Sequence, residues 1–485
     1  MAHRGDGTTM ATRDFRTAFE MQGRWFEPAP EPQQIAGTLV YTPGAEVELH
    51  LHDSLDPIRR FTQRRTEGRS YPVLHGTTTS GEAVTLLSVQ LVRSQLAIGS
   101  AGMGQPEELV SNRTLIGTHA SPESLYRQIR FRVPALEVWL SKETVKRTVE
   151  HGPASERVWS FAVVTPDGPA IRVPAIEADL GWQFDFSSNS NPFKGVRVDM
   201  QGWLQITPDK PKSLDWLLEQ KSVFDQLLTM LAGEPMLSDC IQLAVAGGDE
   251  RVLLLIRQEG SAYCARTQPE EFFLALKDLE DPSEVIQCWF AEWQRMRMPL
   301  QLAVSTLNST QLWLHVRFLS LMQALEGFHR SRFPGTYMAD EDYYPVRQKI
   351  TAAIPSELAA DHREALKARL KYGNQISLRR RLNELTEKVP DPLREIVLGQ
   401  DRRIPRSWTE TRNYYTHWDE ELRPALPKDL GLHFACVRLS VLLRLLYLQM
   451  VGVSASTLLK ALNSGRSTVS RQIIHAHNVE VTCPR

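Results

Sequence analysis

The sequence predicts a multidomain α+β protein, with a β-rich, sandwich-like antiparallel first region followed by an all-α helical bundle. Its 485 residues exceed what one hydrophobic core usually supports, so several domains are expected. Short runs of alternating apolar and polar residues, separated by turns, fill the first part and are typical of antiparallel strands. From about residue 301 apolar residues recur every three or four positions, which is typical of helices.

The first region is predicted to run from residue 23 to 300, with a possible break between subdomains near 150, after a loose leader over 1–22. "VELHLH" alternates after a Pro-Gly turn, and "WSFAVVTPDG" and "AIRVPAIEADLGWQFDF" repeat the pattern. Two helices are expected within it, at "SPESLYRQIRFRV" and at "SLDWLLEQKSVFDQLLTMLAG". The second of these has a one-sided stripe of Leu and Phe residues.

The helical bundle is predicted over residues 301–475, with a tail over 476–485. Helices are expected at "TQLWLHVRFLSLMQALEGFHR", "SELAADHREALKARLKYG", "SLRRRLNELTEKV" and "DPLREIVLG". A long apolar helix begins near Gly431, and "SASTLLKALNSGRSTVSRQIIHAH" closes the bundle. Short connections between these segments favour antiparallel neighbours.

The composition is that of an ordinary soluble globular protein, and the scattered cysteines favour a reducing cytoplasm. The most apolar run, from Phe434, carries Arg438 and Arg444, which would be costly at the centre of a bilayer, so we expect a buried bundle helix. Five scattered cysteines without a CxxC pair predict neither a disulfide framework nor a zinc cluster.

Charge is distributed unevenly along the chain, with a net charge of −9 over residues 1–300 and +8 over 301–485. A polyanion such as RNA or DNA would therefore meet the second half first. Mutual attraction between the two halves explains the same asymmetry.

Few motifs indicate a cofactor or a metal, and we predict neither. "GSAGMG" from Gly99 lacks the spacing of a phosphate-binding loop. His50 and His52 share one face of a strand, but no further ligands lie nearby in the sequence. His475 and His477 fall close to the C-terminus and are expected in a disordered tail.

The segment "TETRNYYTHWDE" carries the strongest candidate site, formed by Arg412, Asn413 and His417. Asn413 and His417 are four apart and share a helix face, whereas Arg412 and His417 are separated by about 140° on a regular helix. Convergence on one ligand therefore requires the helix to end near His417, or two copies to meet at a two-fold axis. The aromatic neighbours suit such packing and suit stacking on an unpaired base. A structural Arg-Asn turn beside a solvated His is the alternative.

A second candidate lies in "ALNSGRSTVSRQI", which has the turn and second helix expected of a helix-turn-helix. The residues available to a DNA groove would be Ser467, Thr468, Ser470 and Arg471. Two terminal helices that cap a bundle give the same pattern.

Taken together, the motifs resemble the ApeA-type branch of the HEPN ribonucleases. The HEPN hallmark is an Arg, often followed by a polar residue, and a His four to six positions on, which "TRNYYTH" fits. "FLSLMQALEGFHR" and the apolar helix ending in "LQMVGV" resemble the flanking helices. "MQGRWFEPAPEPQQIAGTLVYTPGAEVELHL" and "LHGTTTSGEAVTLLSVQL" are similar to the ApeA N-terminal domain.

The resemblance implies an anti-phage protein that acts by abortive infection and cleaves RNA without a metal, with transfer RNA as a candidate target. It assigns proton transfer to His417, phosphate binding to Arg412 and an orienting role to Asn413. It further implies a homodimer or higher oligomer formed by the HEPN domain, and a first region that senses a phage-derived activator or restrains the nuclease.

Further side chains in the bundle are candidates for supporting roles. Glu326 and Tyr415 are expected to support the site. Arg379, Arg380, Arg381 and Lys371 are expected to hold RNA through its phosphates, although solvated helix faces explain these four equally well. Two alternatives to a nuclease stay open, a non-catalytic nucleic-acid-binding regulator and a HEPN scaffold with a purely structural site.

Overall fold

The chain folds into two compact units, which confirms the α+β, multidomain prediction. The computed structural model describes residues 13–55, 69–94, 97–99, 102–151, 157–164, 168, 170–191, 195–248, 250–258, 266–427 and 429–482. The first unit comprises Met1–Asp225 and Met236–Pro269, and the second comprises Gln226–Pro235 and Glu270–Arg485. The second unit thus includes the last turns of a helix that begins in the first.

Strands dominate the first unit. They are β1 (Phe19–Phe26), β2 (Ile35–Tyr41), β3 (Val47–Leu51), β4 (Ser70–Thr78), β5 (Ala83–Ser94), β6 (Ala97–Gly99), β7 (Gly102–Gly104), β8 (Glu107–Ser111), β9 (Arg113–Ile116), β10 (Leu125–Arg132), β11 (Val145–His151), β12 (Arg157–Val163), β13 (Ile171–Val173), β14 (Ala178–Asn191), β15 (Gly195–Pro208), β16 (Lys212–Ser213), β17 (Cys240–Val245) and β18 (Arg251–Ile256). In the described part of this unit, two α-helices join them, α1 (Leu136–Leu140) and α2 (Leu214–Ala232).

Antiparallel strands of the described chain close into a barrel in the order β5, β4, β1, β2, β3 and β8, and β8 pairs again with β5. Trp25, Leu39, Leu49 and Leu74 are fully buried, as the alternation of apolar residues requires. The indole N–H of Trp25 donates to the carbonyl of Gly37 at 3.1 Å, so this ring is also fixed in direction. The sandwich-like arrangement expected from the sequence is thus a closed barrel, because β5 is long enough to pair with several strands.

From β5 the sheet continues as an open sheet through β9, β18, β17, β10, β15, β14 and β13. The helix predicted at "SPESLYRQIRFRV" was wrong, because this segment contains strand β10. Partners on both sides satisfy its backbone hydrogen bonds, and Ile129 and Phe131 are fully buried. The predicted helix α2 is confirmed, and the ring of Phe224 packs against that of Phe131 at 6.3 Å.

The predicted leader and tail are ordered where they are described. Phe15 is buried, its N–H donates to the carbonyl of Asp239 at 2.8 Å, and β1 begins at Phe19. Residues 13–22 are therefore packed and are not a loose leader, whereas residues 1–12 lie outside the described chain. The last helix reaches Thr482 and buries Ala476, so most of the expected tail over 476–485 is helical.

Helices make up the second unit. They are α3 (Pro282–Asn308), α4 (Leu314–Arg332), α5 (Asp340–Ala352), α6 (Ala360–Lys371), α7 (Leu378–Lys388), α8 (Asp391–Leu398), α9 (Arg406–His417), α10 (Asp429–Met450), α11 (Ala455–Asn463) and α12 (Thr468–Thr482). The segments predicted as bundle helices are confirmed. Helix α5 was not predicted, because it is largely exposed and has no apolar stripe. Helix α3 crosses residue 301, where the sequence suggested a domain boundary.

Helix α10 is long and apolar enough to span a membrane, but 78% of its apolar window is buried within the protein. Its two arginines are buried as well, and both donate to carbonyls at the ends of other helices. Arg438 donates to the carbonyl of Val397 at 2.5 Å, and Arg444 donates to those of Thr229 and Met230 at 2.6 and 2.7 Å. These contacts satisfy the last carbonyls of α8 and α2, as expected of cations at helix C-termini. The packing is that of a core helix.

Candidate active site

Helix α9 carries the Arg-Asn-His segment and is anchored by one apolar face. Trp408, Thr411 and Tyr414 are buried on this face, which packs against α4 and α7. The helix ends at His417, which is one of the two arrangements that would let the predicted site residues converge on one ligand. Trp418 follows in the left-handed conformation with φ of 55°, and its N–H donates to the carbonyl of Tyr414 at 2.6 Å. This cap fixes the last turn that presents His417.

Arg412 and Asn413 lie side by side on the half-buried part of α9. The Nη1 of Arg412 donates to the Oδ1 of Asn413 at 3.3 Å. Its Nη2 lies 3.8 Å from the Oε2 of Glu326 on α4, at the outer limit of an ion pair. The Arg412 side chain keeps 30% of its surface exposed. The guanidinium is thus oriented by two neighbours and still accessible to an anion.

Glu326 connects Arg412 to a second arginine. Its Oε1 accepts from Arg330, one helical turn away, with the Nη2 of Arg330 at 2.8 Å. Arg330 also donates to the side-chain carbonyl of Gln375 at 3.2 Å. The structure therefore brings Glu326 to the site, as its position on the predicted helix suggested. One carboxylate faces two guanidinium groups, so this patch carries excess positive charge.

His417 is exposed at the end of α9. Among the described residues, its ring forms no hydrogen bond or ion pair. Tyr415, the other expected supporting residue, turns toward the start of α4, where its ring lies 5.6 Å from that of His315. Arg412 and His417 are separated by about 140° around the helix axis, and among the described residues no hydrogen bond joins them.

A buried polar cluster next to this site escaped the sequence analysis. His329 is fully buried on α4, its Nδ1 accepts from Arg381 at 3.1 Å, and its Nε2 donates to Glu384 at 2.8 Å. Arg381 also donates to the carbonyl of Gly335 at 3.1 Å. We name His329, Arg381, Glu384 and Gly335 the His329 cluster. The available signal was a His four residues after Leu325, in line with the apolar stripe of the helix.

The hydrogen bonds of the His329 cluster define a neutral imidazole. Because Nδ1 accepts from a guanidinium, the ring carries its proton on Nε2. Burial and the positive charges of Arg381 and Arg330 lower the pKa of His329 below its ordinary value, although the Glu384 hydrogen bond opposes this. His329 is therefore a structural residue that holds α4 to α7 in its neutral form.

The four expected RNA-binding residues do not share one environment. Arg381 is 1% exposed and is used within the His329 cluster, so the expectation that it holds RNA is corrected. Arg380 pairs with Glu384 at 3.0 Å and stacks over Tyr337, leaving half of its side chain exposed. Arg379 and Lys371 are exposed. A run of three arginines thus has one buried member, because α7 turns only that position toward α4.

The other features weighed in the sequence were metal ligands such as His50 and the helix-turn-helix-like segment. Their surroundings in the structure give little support for either role. Within the described chain, no group of three or more His, Cys, Asp or Glu residues is arranged to hold a metal ion. His50 is engaged with Glu48 at 3.1 Å. In the helix-turn-helix-like segment, Ser467 and Ser470 are buried and hydrogen-bonded to each other at 2.9 Å, which removes two of the four expected groove contacts.

Comparison with known proteins identifies both regions of the chain. The family described as ApeA N-terminal domain 1 matches residues 20–289, and the one described as Apea-like HEPN matches residues 319–457. The curated proteins and the solved structures gave no match. The second match includes all of α9, and the first spans more than half of the chain. The chain therefore belongs to the ApeA family, with an ApeA N-terminal domain followed by an Apea-like HEPN domain.

Proposed function

We propose that the protein is a metal-independent endoribonuclease that cleaves RNA through Arg412, Asn413 and His417 of its HEPN domain. Its domain pair is that of a family of anti-phage, HEPN-type nucleases. One observation carries the proposal. The capped end of α9 leaves His417 exposed and holds Arg412 partly exposed beside an excess of positive charge. A phosphate of RNA fits such a surface, because its charge is complementary.

The proposed reaction uses the ribose 2′-hydroxyl as nucleophile. A neutral His417 takes the 2′-hydroxyl proton, the 2′-oxygen bonds to phosphorus, and the bond from phosphorus to the 5′-oxygen breaks. A protonated His417 gives a proton to the departing 5′-oxygen, which leaves a 2′,3′-cyclic phosphate and a 5′-hydroxyl. The planar guanidinium of Arg412 would stabilise the added negative charge on the phosphoryl oxygens. DNA lacks this nucleophile and would not react.

A two-fold dimer of HEPN domains would complete this chemistry. One chain supplies one His417, whereas the reaction needs a base and an acid at the same phosphate. Two copies of the α9 end, related by a two-fold axis, would supply both histidines and both arginines. The angle of about 140° between Arg412 and His417 on one helix supports this arrangement, since no hydrogen bond joins them among the described residues.

The direct test is cleavage of labelled RNA by the purified full chain in the presence of EDTA. We expect cleavage of transfer RNA, which we would test first, and no cleavage of DNA or of RNA with a 2′-deoxy nucleotide at the cut position. The downstream fragment should carry a 5′-hydroxyl, so a polynucleotide kinase should phosphorylate it without prior phosphatase treatment. Arg412→Ala and His417→Ala should each lower kcat at least a hundredfold. RNA that stays intact with the unmodified protein would overturn the proposal.

Matched variants control for indirect effects on folding. Arg406→Ala removes an exposed arginine from the same helix, and His433→Ala removes an exposed histidine from α10. Both should cleave at the unmodified rate. Loss of cleavage in these controls would mean that any disturbance of the bundle stops the reaction, so that the site assignment would lose its support.

We propose that the nuclease acts in the cytoplasm during infection and that the first unit controls it. The barrel and open sheet of that unit lack an assigned role in the chemistry, which suits a sensor of a phage-derived activator. Bacteria that express the full chain should cleave RNA and stop growing only after infection. Bacteria that express His417→Ala should support normal phage growth. Equal RNA cleavage before and after infection would contradict control by infection.

A further inference from the structure

The hairpin formed by β11 and β12 is an exposed two-stranded ribbon in the first unit. Its residues pair from Val145 opposite Val163 to His151 opposite Arg157. No third strand pairs with either edge in the part of the chain that the structure describes. Every side chain of β11 is exposed, as are nearly all of those of β12. An isolated two-stranded hairpin is only marginally stable in water. Its exposed apolar side chains therefore call for an explanation other than the stability of the hairpin itself.

The apolar side chains of this hairpin fall mostly on one face. Alternation along the paired strands puts Val145, Arg147, Val149, His151, Arg157, Trp159, Phe161 and Val163 on this face, which we name the ribbon face. Phe161 is 61% exposed, Trp159 46% and Val149 41%. The opposite face carries mainly small and polar residues. Clustered exposure of large apolar side chains on one side is typical of an interaction surface.

The charge of the hairpin indicates an anionic ligand. Lys146, Arg147 and Arg157 are basic, and Glu150 is the only acidic residue in the two strands. None of the three cations forms an ion pair in the described structure. This basic surface lies within residues 1–300, whose net charge is −9. The positive charge is thus local to the hairpin and does not follow from the average composition of this half.

The aromatic residues indicate that the anion also carries planar groups. The guanidinium of Arg147 stacks over the Trp159 ring at 3.8 Å from its centroid, and Arg147 lies opposite Phe161. Trp159 and Phe161 are two residues apart on one strand, so their rings project about 7 Å apart from the same face. An extended single strand of nucleic acid can match this spacing with successive bases, each stacked on one ring.

We propose that the ribbon face binds unpaired nucleotides of RNA, with bases stacked on Trp159 and Phe161 and phosphates held by Arg147 and Arg157. This deepens the proposed function and rests on it for the choice of RNA over DNA. The substrate would then be recognised by a surface in the ApeA N-terminal domain in addition to the HEPN site. A duplex would bind more weakly, because its bases are not free to stack on side chains.

Binding can be measured with a fluorescent single-stranded oligouridylate and the full chain carrying His417→Ala, so that the RNA is not cleaved. Trp159→Ala with Phe161→Ala should weaken binding at least tenfold. The matched control is Val158→Ala with Ser160→Ala, which alters the opposite face of the same strand and should leave affinity within twofold. Arg147→Glu, a single exposed change that keeps both rings, should also weaken binding at least tenfold.

Photocrosslinking separates this surface from the HEPN site. Oligouridylate containing 4-thiouridine should crosslink to peptides that contain Trp159 or Phe161, and excess unlabelled single strand should compete better than duplex. Unchanged affinity in the ribbon-face variants, an equal loss in the control, or crosslinks confined to α9 would each overturn the proposal. Unchanged RNA affinity would leave the apolar face to a protein partner.

The proposed function and this inference fail separately. If the unmodified protein cleaves no RNA but oligouridylate still crosslinks to the ribbon face, the nuclease assignment fails and the ribbon proposal stands. If cleavage occurs and the ribbon-face variants have the KM of the unmodified protein, only the ribbon proposal fails. The expected result is a rise in KM of at least tenfold with kcat unchanged.

Discussion

Replacement of Arg381 by Ala is expected to destabilise the second unit and to leave RNA binding unaffected. Arg381 is one of three consecutive arginines that the sequence could not tell apart. Its guanidinium donates to the Nδ1 of His329 and to the carbonyl of Gly335, each at 3.1 Å. A Cβ on Gly335 would lie 2.6 Å from its Nη1, so even the backbone is shaped around this group.

The magnitude follows from these two contacts. A hydrogen bond to a charged group contributes about 1.5–3 kcal/mol, and an acceptor left buried without a donor loses a similar amount. Because the Gly335 carbonyl is partly accessible to water, we take the lower end for both contacts and expect a loss of about 3 kcal/mol. For a unit of about 200 residues, this corresponds to a fall in Tm of about 6–12 °C.

The same variant should change how stability depends on pH. In the folded protein the pKa of His329 lies below 6.5, so as pH falls through 6.5 the unfolded chain takes up a proton that the folded chain resists. The free energy of unfolding therefore falls on acidification from pH 7.5 to 5.5. In the Arg381→Ala variant the pKa of His329 should rise, because a nearby positive charge is gone. The fall in the free energy of unfolding between pH 7.5 and 5.5 that arises from His329 should therefore be smaller.

Thermal unfolding at pH 7.5 and 5.5 tests both expectations. Arg379→Ala, on the exposed side of the same helix, is the control and should change Tm by less than 2 °C. An Arg381→Ala protein with the Tm of the control and weakened RNA binding would refute the assignment of Arg381 to the His329 cluster.

Three further changes have expected outcomes. Arg444→Met should lower the stability of the second unit by about 2–4 kcal/mol, read from its Tm, because the carbonyls of Thr229 and Met230 lose their donor. Trp418→Gly should raise the free energy of unfolding in urea by about 0.5–1 kcal/mol, since Gly adopts φ of 55° without strain; a decrease would show that packing of the indole dominates. Glu326→Gln should change kcat/KM for RNA cleavage by less than about fivefold, because its 3.8 Å contact with Arg412 is long and partly exposed. A larger effect would assign Glu326 a direct part in the reaction.

The candidate site was found from sequence because its signal is local. Arg412, Asn413 and His417 lie within one helical segment, and a spacing along one helix fixes which side chains share a face. The end of that helix at His417 was one of two arrangements expected for the same reason, since a helix end or a two-fold axis reconciles a five-residue interval with a common ligand. Local periodicity likewise located α4, α7 and α10 in the bundle.

The supporting groups around the site depended on contacts between distant segments. Arg379, Arg380 and Arg381 are chemically identical, and only the position of α4, about fifty residues earlier, turns Arg381 inward to His329. The role of the buried Arg444 likewise depends on a contact with a distant segment. This arginine argued against a membrane span from sequence, but its role as a donor to the end of α2 requires the folded core.

The sequence by itself determined most of the helices of the second unit, the antiparallel strands of the first and the segment that carries the candidate Arg-Asn-His site, because these depend on residue spacing along one element. The tertiary structure decided that the strands of the first unit close into a barrel, that "SPESLYRQIRFRV" is a strand, and that Arg381 is buried. Each of these depends on partners that are distant in sequence, and strand pairing can override the preference of a segment for helix. The exposed ribbon face also follows from pairing, since only the register of β11 and β12 gathers its aromatic and basic side chains on one side.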